Sequence, residues 1–193
     1  MVEQLPVKEL VVGSSPTRGA EHLFSYRFSA FCYTDLMLTL MTEEFGEGEP
    51  IPARFTCDGE NISPLLLIGD VPDGARSLAI VMHDPDVPKQ LRPDGNFDHW
   101  VVYNIAPDVD KIPEGGKPGL QGINTAGKVG YTGPCPPPQY EPSTHRYIFM
   151  LYALDAELPL QPRATKEKLL FGMEGHIVGT ATLMGTYSRK GKA

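Results

Sequence analysis

Residues 147–154 read Tyr147-Ile148-Phe149-Met150-Leu151-Tyr152-Ala153-Leu154, an unbroken apolar run of aromatic and aliphatic side chains. Two more runs of this kind, Ser77-Leu78-Ala79-Ile80-Val81-Met82 and Trp100-Val101-Val102-Tyr103-Asn104-Ile105, are short and bounded by Asp, Pro or Gly. That combination argues for buried strands rather than helices. Val71-Pro72-Asp73-Gly74 and Arg92-Pro93-Asp94-Gly95 read as turns, with proline presetting φ and glycine accepting positive φ. Only Thr165 to Met173 has the pattern of a helix, with Thr165 as the cap and Leu169 and Leu170 facing inward. Thr180 to Tyr187 reads as a closing strand. Strands without interleaved helices predict a mainly β protein: an antiparallel β-sandwich with one or two short helices near the C-terminus, not a parallel α/β sheet.

The 193-residue length suits one compact domain, and 41% apolar content supplies its core. The 20 glycines and 19 prolines, about a fifth of the chain, penalise long helices. A net charge of −7 disfavours non-specific attraction to nucleic acid or anionic membranes, so no nucleic-acid partner is expected. Any anion must be captured by a local site. The stretch Leu23 to Met41 is interrupted by Arg27 and Asp35, so no transmembrane segment and no secretion signal is expected. Cys32, Cys57 and Cys135 form no CxxC pair. An odd count without a signal peptide reads as reduced thiols in a cytoplasmic protein, with one disulfide as the alternative. Residues 1–36 are rich in loop formers. They read either as an added edge strand or packing arm, or as an upstream extension before a start at Met37 or Met41; residues 37–193 form the domain.

The densest polar cluster is His83-Asp84-Pro85-Asp86-Val87-Pro88, where two prolines stiffen the loop carrying both carboxylates. Taken alone, Asp84 and Asp86 read as strand-end Asx turns. His99 opens the next strand in Phe97-Asp98-His99-Trp100, and His145-Arg146-Tyr147 opens another. Period-2 geometry puts His145 and Tyr147 on one strand face. If these strands are neighbours, Asp84, Asp86, His99, His145 and Tyr147 converge at one end of the sandwich. Alternation aims His83 away from Asp84, toward a rim or structural role. His176, at a helix end, reads as structural. Glu60 and Asn61 read as turn chemistry near the same region.

The sequence resembles the phosphatidylethanolamine-binding protein family, also called the Raf kinase inhibitor protein family, in its bacterial and archaeal form. The resemblance runs from about Met37 to Arg189. Its motifs are Ile51-Pro52-Ala53-Arg54-Phe55-Thr56-Cys57-Asp58-Gly59-Glu60-Asn61-Ile62-Ser63-Pro64, Asp84-Pro85-Asp86-Val87-Pro88, His99-Trp100, Tyr131-Thr132-Gly133-Pro134-Cys135-Pro136-Pro137, His145-Arg146-Tyr147 and Met173-Glu174-Gly175-His176. The resemblance implies a β-sandwich with a small pocket for phosphate-like anions or a phospholipid headgroup. Its residues would be Asp84, Asp86, His99, His145 and Tyr147, with Gly133, Pro134 and Pro136 in the wall loop. It further implies a regulatory binding protein, with a kinase or protease partner as the alternative, and a homodimer as the expected assembly. The segments Lys89 to Asn96 and Pro138 to Thr144 look expanded beside prokaryotic relatives, near the expected mouth.

Two carboxylates beside an anion must be neutralised. An aspartate accepting an imidazole N–H orients the ring, whose other nitrogen can then face a phosphate oxygen. A zwitterionic ethanolamine phosphate would place its ammonium against a carboxylate. Rival chemistries are less supported, and neither a catalytic residue nor a cofactor or metal is expected. Asp-x-Asp with two histidines resembles a metal set, but no HxxxH or HExxH is present. A cysteine hydrolase on Cys135 is disfavoured because Pro134 and Pro136 offer no N–H for an oxyanion. No GxSxG motif supports a serine triad.

Overall fold

The computed structural model describes residues 37–189. Within it the 147–154 run lies in β7 (Thr144–Leu154), which pairs antiparallel with β3 (Ser77–Asp84) on one side and β8 (Ile177–Ser188) on the other. β4 (Phe97–Ile105) lies beyond β3, with the short β6 (Leu120–Gln121) at the edge, giving the order β6-β4-β3-β7-β8. A second sheet orders β1 (Thr39–Met41), β2 (Leu66–Gly69) and β5 (Lys111–Ile112) as β1-β2-β5, again antiparallel. The mainly β sandwich expected from the sequence is observed.

Alternation along the central strands fills two cores. Leu78, Ile80 and Met82 face Leu40, Leu66 and Ile68 of the other sheet, together with Trp100, Tyr147 and Phe149. Ala79, Val81, Val101 and Tyr103 point the other way. They are covered by α1 (Lys166–Met173), which contributes Leu169 and Met173. Burial on both faces explains why β3 and β4 read as continuous apolar runs. Each large side chain so buried is worth about 1.5–3 kcal/mol.

Thr165 caps α1, accepting the Lys168 N–H at 3.5 Å. One expectation is corrected here: Leu170 is 39% exposed, whereas Leu169 is buried. The inward partner of Leu169 is Met173, four residues on, because adjacent helical positions diverge by about 100°. β8 begins before the expected Thr180, and α1 is the one α-helix among the described residues.

The reduced-thiol expectation is also corrected. Cys57 and Cys135, 78 positions apart, are joined in a disulfide with a Cα–Cα distance of 5.4 Å. Their segments are already packed together: the Cys57 N–H donates to the Pro134 carbonyl at 3.0 Å, and the Tyr131 hydroxyl to the Phe55 carbonyl at 2.8 Å. The readings of residues 1–36 fall outside the described residues.

Candidate functional site

The ends of three neighbouring strands bring the chemistry together. β3 finishes on Asp84, β4 starts at Phe97 and β7 starts at Thr144. Between them lies a cavity of about 320 Å³ lined by Asp84, His99, Gly133 and His145 among the expected residues, with Cys135 and Pro137 of the wall segment beside them.

His145 is 1% exposed, and its Nδ1–H donates to Asp84 Oδ2 at 2.7 Å. The other Asp84 oxygen accepts the Asp86 backbone N–H at 2.8 Å. Since the carboxylate fixes the donor at Nδ1, Nε2 of a neutral His145 is an acceptor; protonation would make it a donor. That Nε2 is buried without a protein hydrogen-bond partner.

His99 reaches the cavity through a β-bulge. Met82 pairs with Trp100 and His83 with Asp98, so β4 spends two residues where β3 spends one. His99 is the extra residue, which re-aims its side chain. Its Nδ1–H donates to the Thr132 carbonyl at 2.6 Å. Burial holds its pKa below the ordinary histidine value, opposed by the Thr132 bond and by the Asp84 and Asp98 charges. The expected histidine–carboxylate couple is therefore His145–Asp84, while His99 is oriented by a backbone carbonyl.

Tyr147 packs against both imidazoles, edge-on to His99 at 5.2 Å and stacked on His145 at 6.5 Å between ring centroids. Its buried hydroxyl has no partner at hydrogen-bond geometry, Tyr147 does not itself line the cavity, and burial, then the neighbouring Asp84 carboxylate, raises its pKa. Asp86 is placed differently from the others. Its carboxylate accepts three bonds from Arg146, through the backbone N–H at 2.9 Å, Nε at 2.8 Å and Nη2 at 2.7 Å. Those bonds hold its pKa below the usual carboxylate range, and it does not line the cavity. Pro134 and Pro136 are buried in the wall segment without lining the cavity.

The wall is positioned by Asn61, whose Oδ1 accepts the Gly133 N–H at 2.7 Å from a left-handed backbone at φ 60°. A Cβ at position 133 would collide with the Phe55 carbonyl oxygen, so the approach requires glycine. Cys135 is in the disulfide, so no thiol is available there for nucleophilic attack. Among the described residues no group of three His, Cys, Asp or Glu side chains converges as a metal site.

The phosphatidylethanolamine-binding protein family model matches residues 41–188, which include every residue of this cavity. The chain belongs to that family. Among similar relatives, a UPF0098 protein of Chlamydia muridarum is 49% identical over 153 residues, covering 79% of this chain and 99% of the relative. One from Methanothermobacter thermautotrophicus is 45% identical over 159 residues, with the same coverage. The crystal structure of a phosphatidylethanolamine-binding protein homologue from Chlamydia trachomatis superposes with a TM-score of 0.76 at 46% identity, covering 80% of this chain and 99% of that one. YbcL of E. coli gives 0.70 at 27% identity, over 79% and 99% of the two chains.

Sequence reasoning missed Val87, Leu91, Arg92, Phe97 and Thr132, which also line the cavity. Phe97 had a signal, standing two residues before His99, and the rings lie 4.6 Å apart. Leu91 and Arg92 sit in the expanded loop near the mouth, but nothing local to that loop says which side chains turn inward. His83 lies on the opposite face, where burial and then the Lys166 charge lower its pKa. His176 pairs with Asp155 at 2.8 Å near the end of α1. No helix among the described residues is long and apolar enough to cross a membrane.

Proposed function

We propose that this family member is a non-catalytic binding protein whose pocket captures a phosphate-like oxyanion. The observation that carries this reading is the buried, unpartnered Nε2 of His145, a residue that lines the cavity; the Tyr147 hydroxyl, likewise unpartnered, belongs to a ring packed against both imidazoles behind that lining. A buried polar atom without a partner costs about 1–3 kcal/mol, and an oxyanion in the cavity meets that demand at His145. Tyr147 donates to one oxygen. His145 donates from Nε2 once protonated, or accepts from the acid proton of a monoanion. Asp84, His99, Gly133 and the Pro134 to Pro136 wall position these groups, and Asp86 acts as a strut through Arg146. A regulatory role follows for a protein that holds a ligand without transforming it. No observation favours the kinase- or protease-inhibitor alternative or a dimer. The Cys57–Cys135 bond removes the argument from reduced thiols on which a cytoplasmic location rested.

Isothermal calorimetry with inorganic phosphate at pH 5.5 and pH 8.5 tests the proposal. Binding is expected to weaken as pH rises, because either route needs one proton shared between His145 and the anion. It is expected to disappear in His145→Ala. Equal affinity at both pH values, or full affinity in the variant, would count against it.

A further inference from the structure

We infer that the pocket selects oxyanions bearing an uncharged apolar substituent, such as a short alkyl phosphate monoester, over zwitterionic ethanolamine phosphate. This rests on the oxyanion reading above and names the ligand class that the cavity walls specify.

An ammonium group needs a reachable carboxylate or a cluster of carbonyls, and each acid here already has a partner. Asp84 is 3% exposed, with one oxygen on His145 and the other on the Asp86 N–H. Asp86 faces Arg146 through three bonds. In the loop over the mouth, Asp94 is paired with Arg92 at 2.9 Å. Asp98, on the far side of β4, is bonded to Lys166 and Asn96. The charged side chain that lines the cavity besides Asp84 and the imidazoles is Arg92, a cation fixed by Asp94 and by the Asn96 carbonyl at 2.6 Å. An ammonium entering past it meets a closed ion pair, not a free carboxylate.

The remaining walls are apolar. Val87, Leu91, Phe97, Cys135 and Pro137 surround the space leading to the imidazoles. Leu91 is 48% exposed at this position. A volume of about 320 Å³ falls at the small end of organic-ligand sites, roughly 300–1,000 Å³. A substituent extending from the phosphate would bury its surface against Leu91, Val87 and Phe97. The arrangement thus rewards a methyl group where a headgroup ligand carries its ammonium.

Calorimetry at one pH with inorganic phosphate, ethanolamine phosphate and n-propyl phosphate tests this, since the two esters differ chiefly in a terminal ammonium or methyl. The propyl ester is expected to bind at least tenfold tighter than the ethanolamine ester, and tighter than inorganic phosphate. Leu91→Ser should reduce the advantage of the propyl ester over inorganic phosphate severalfold. Arg92→Gln should narrow the gap between the esters. Equal or tighter binding of ethanolamine phosphate, or a propyl ester no better than phosphate, overturns the inference and leaves the oxyanion pocket standing. Failure of all three ligands to bind overturns the pocket itself.

Discussion

Asp84 and His145 form a buried pair, with Oδ2 and Nδ1 2.7 Å apart, although 61 positions separate them in the chain. β3 and β7 are adjacent in the sheet, so the end of one and the beginning of the other meet. The consequence is a fixed tautomer: Asp84 occupies Nδ1, leaving Nε2 without a protein partner. Asp86, two residues along, takes no part in this pair because Arg146 holds it outside the cavity.

This division of labour predicts different outcomes for two similar substitutions. Asp84→Asn removes a charge-assisted bond worth about 1.5–3 kcal/mol, so phosphate affinity should fall by roughly 10–100-fold. Asp86→Ala breaks an ion pair whose arginine is half exposed, costing at most about 1 kcal/mol of stability. Its backbone N–H to Asp84 survives, so affinity should stay within about threefold of wild type. Calorimetry on both variants checks the contrast; equal losses would make Asp86 a ligand contact.

Tyr147→Phe should separate binding from stability. The hydroxyl is buried without a protein partner, so its removal relieves a desolvation cost and should leave the melting temperature unchanged or raised. Anion affinity should nevertheless drop by about two- to tenfold, the worth of one net hydrogen bond of 0.5–1.5 kcal/mol. A lowered melting temperature would mean the hydroxyl has a structural partner instead.

Which parts of this arrangement sequence patterns reveal follows from how far each depends on distant chain. The apolar runs in β3, β4 and β7 announce themselves, because both faces of those strands are buried and turns bound them. β5 and β6 span two residues each, too short for any periodicity, and are held by pairing to β2 and β4. Asp84, His99 and His145 stand out as polar residues at strand ends. The face of His99 does not, since alternation would oppose it to Trp100 and the bulge places both inward. Nor does the side chain of Asp86, whose direction is decided by Arg146, 60 residues away. The disulfide joins segments that no spacing rule relates.

That cross-link yields a third prediction. It ties the segment after the 3-10 turn at Ala53–Phe55 to the pocket wall, closing a span of 78 residues. Prolines at 134, 136, 137 and 138 give this wall few N–H groups with which to anchor itself. Replacing Cys57 and Cys135 with serine should cost about 2–4 kcal/mol in guanidinium unfolding. Phosphate affinity should weaken as the wall loosens. Peptide mapping of unreduced protein should recover a Cys57–Cys135 linked peptide; alkylation of both thiols without reductant would show the bond is not formed.

The histidines also set a pH dependence of stability opposite to that of binding. Burial lowers the pKa values of His99 and His83 in the folded chain. The unfolded chain titrates near the ordinary value of about 6.5. Above that value both states are neutral at these positions, and nothing is lost. As pH falls from there toward the lowered folded values, the unfolded chain binds protons that the folded chain refuses, so stability declines across that window. The melting temperature of ligand-free protein should therefore be lower at pH 5.5 than at pH 7.5, and the deficit should shrink in His99→Asn, which retains an N–H for Thr132. The proposed anion binding strengthens at the lower pH, so saturating phosphate should raise the melting temperature more at pH 5.5 than at pH 7.5. A phosphate effect that is equal at both pH values would uncouple the ligand from the proton. Unchanged ligand-free stability would show instead that His99 and His83 titrate as they do in the unfolded chain.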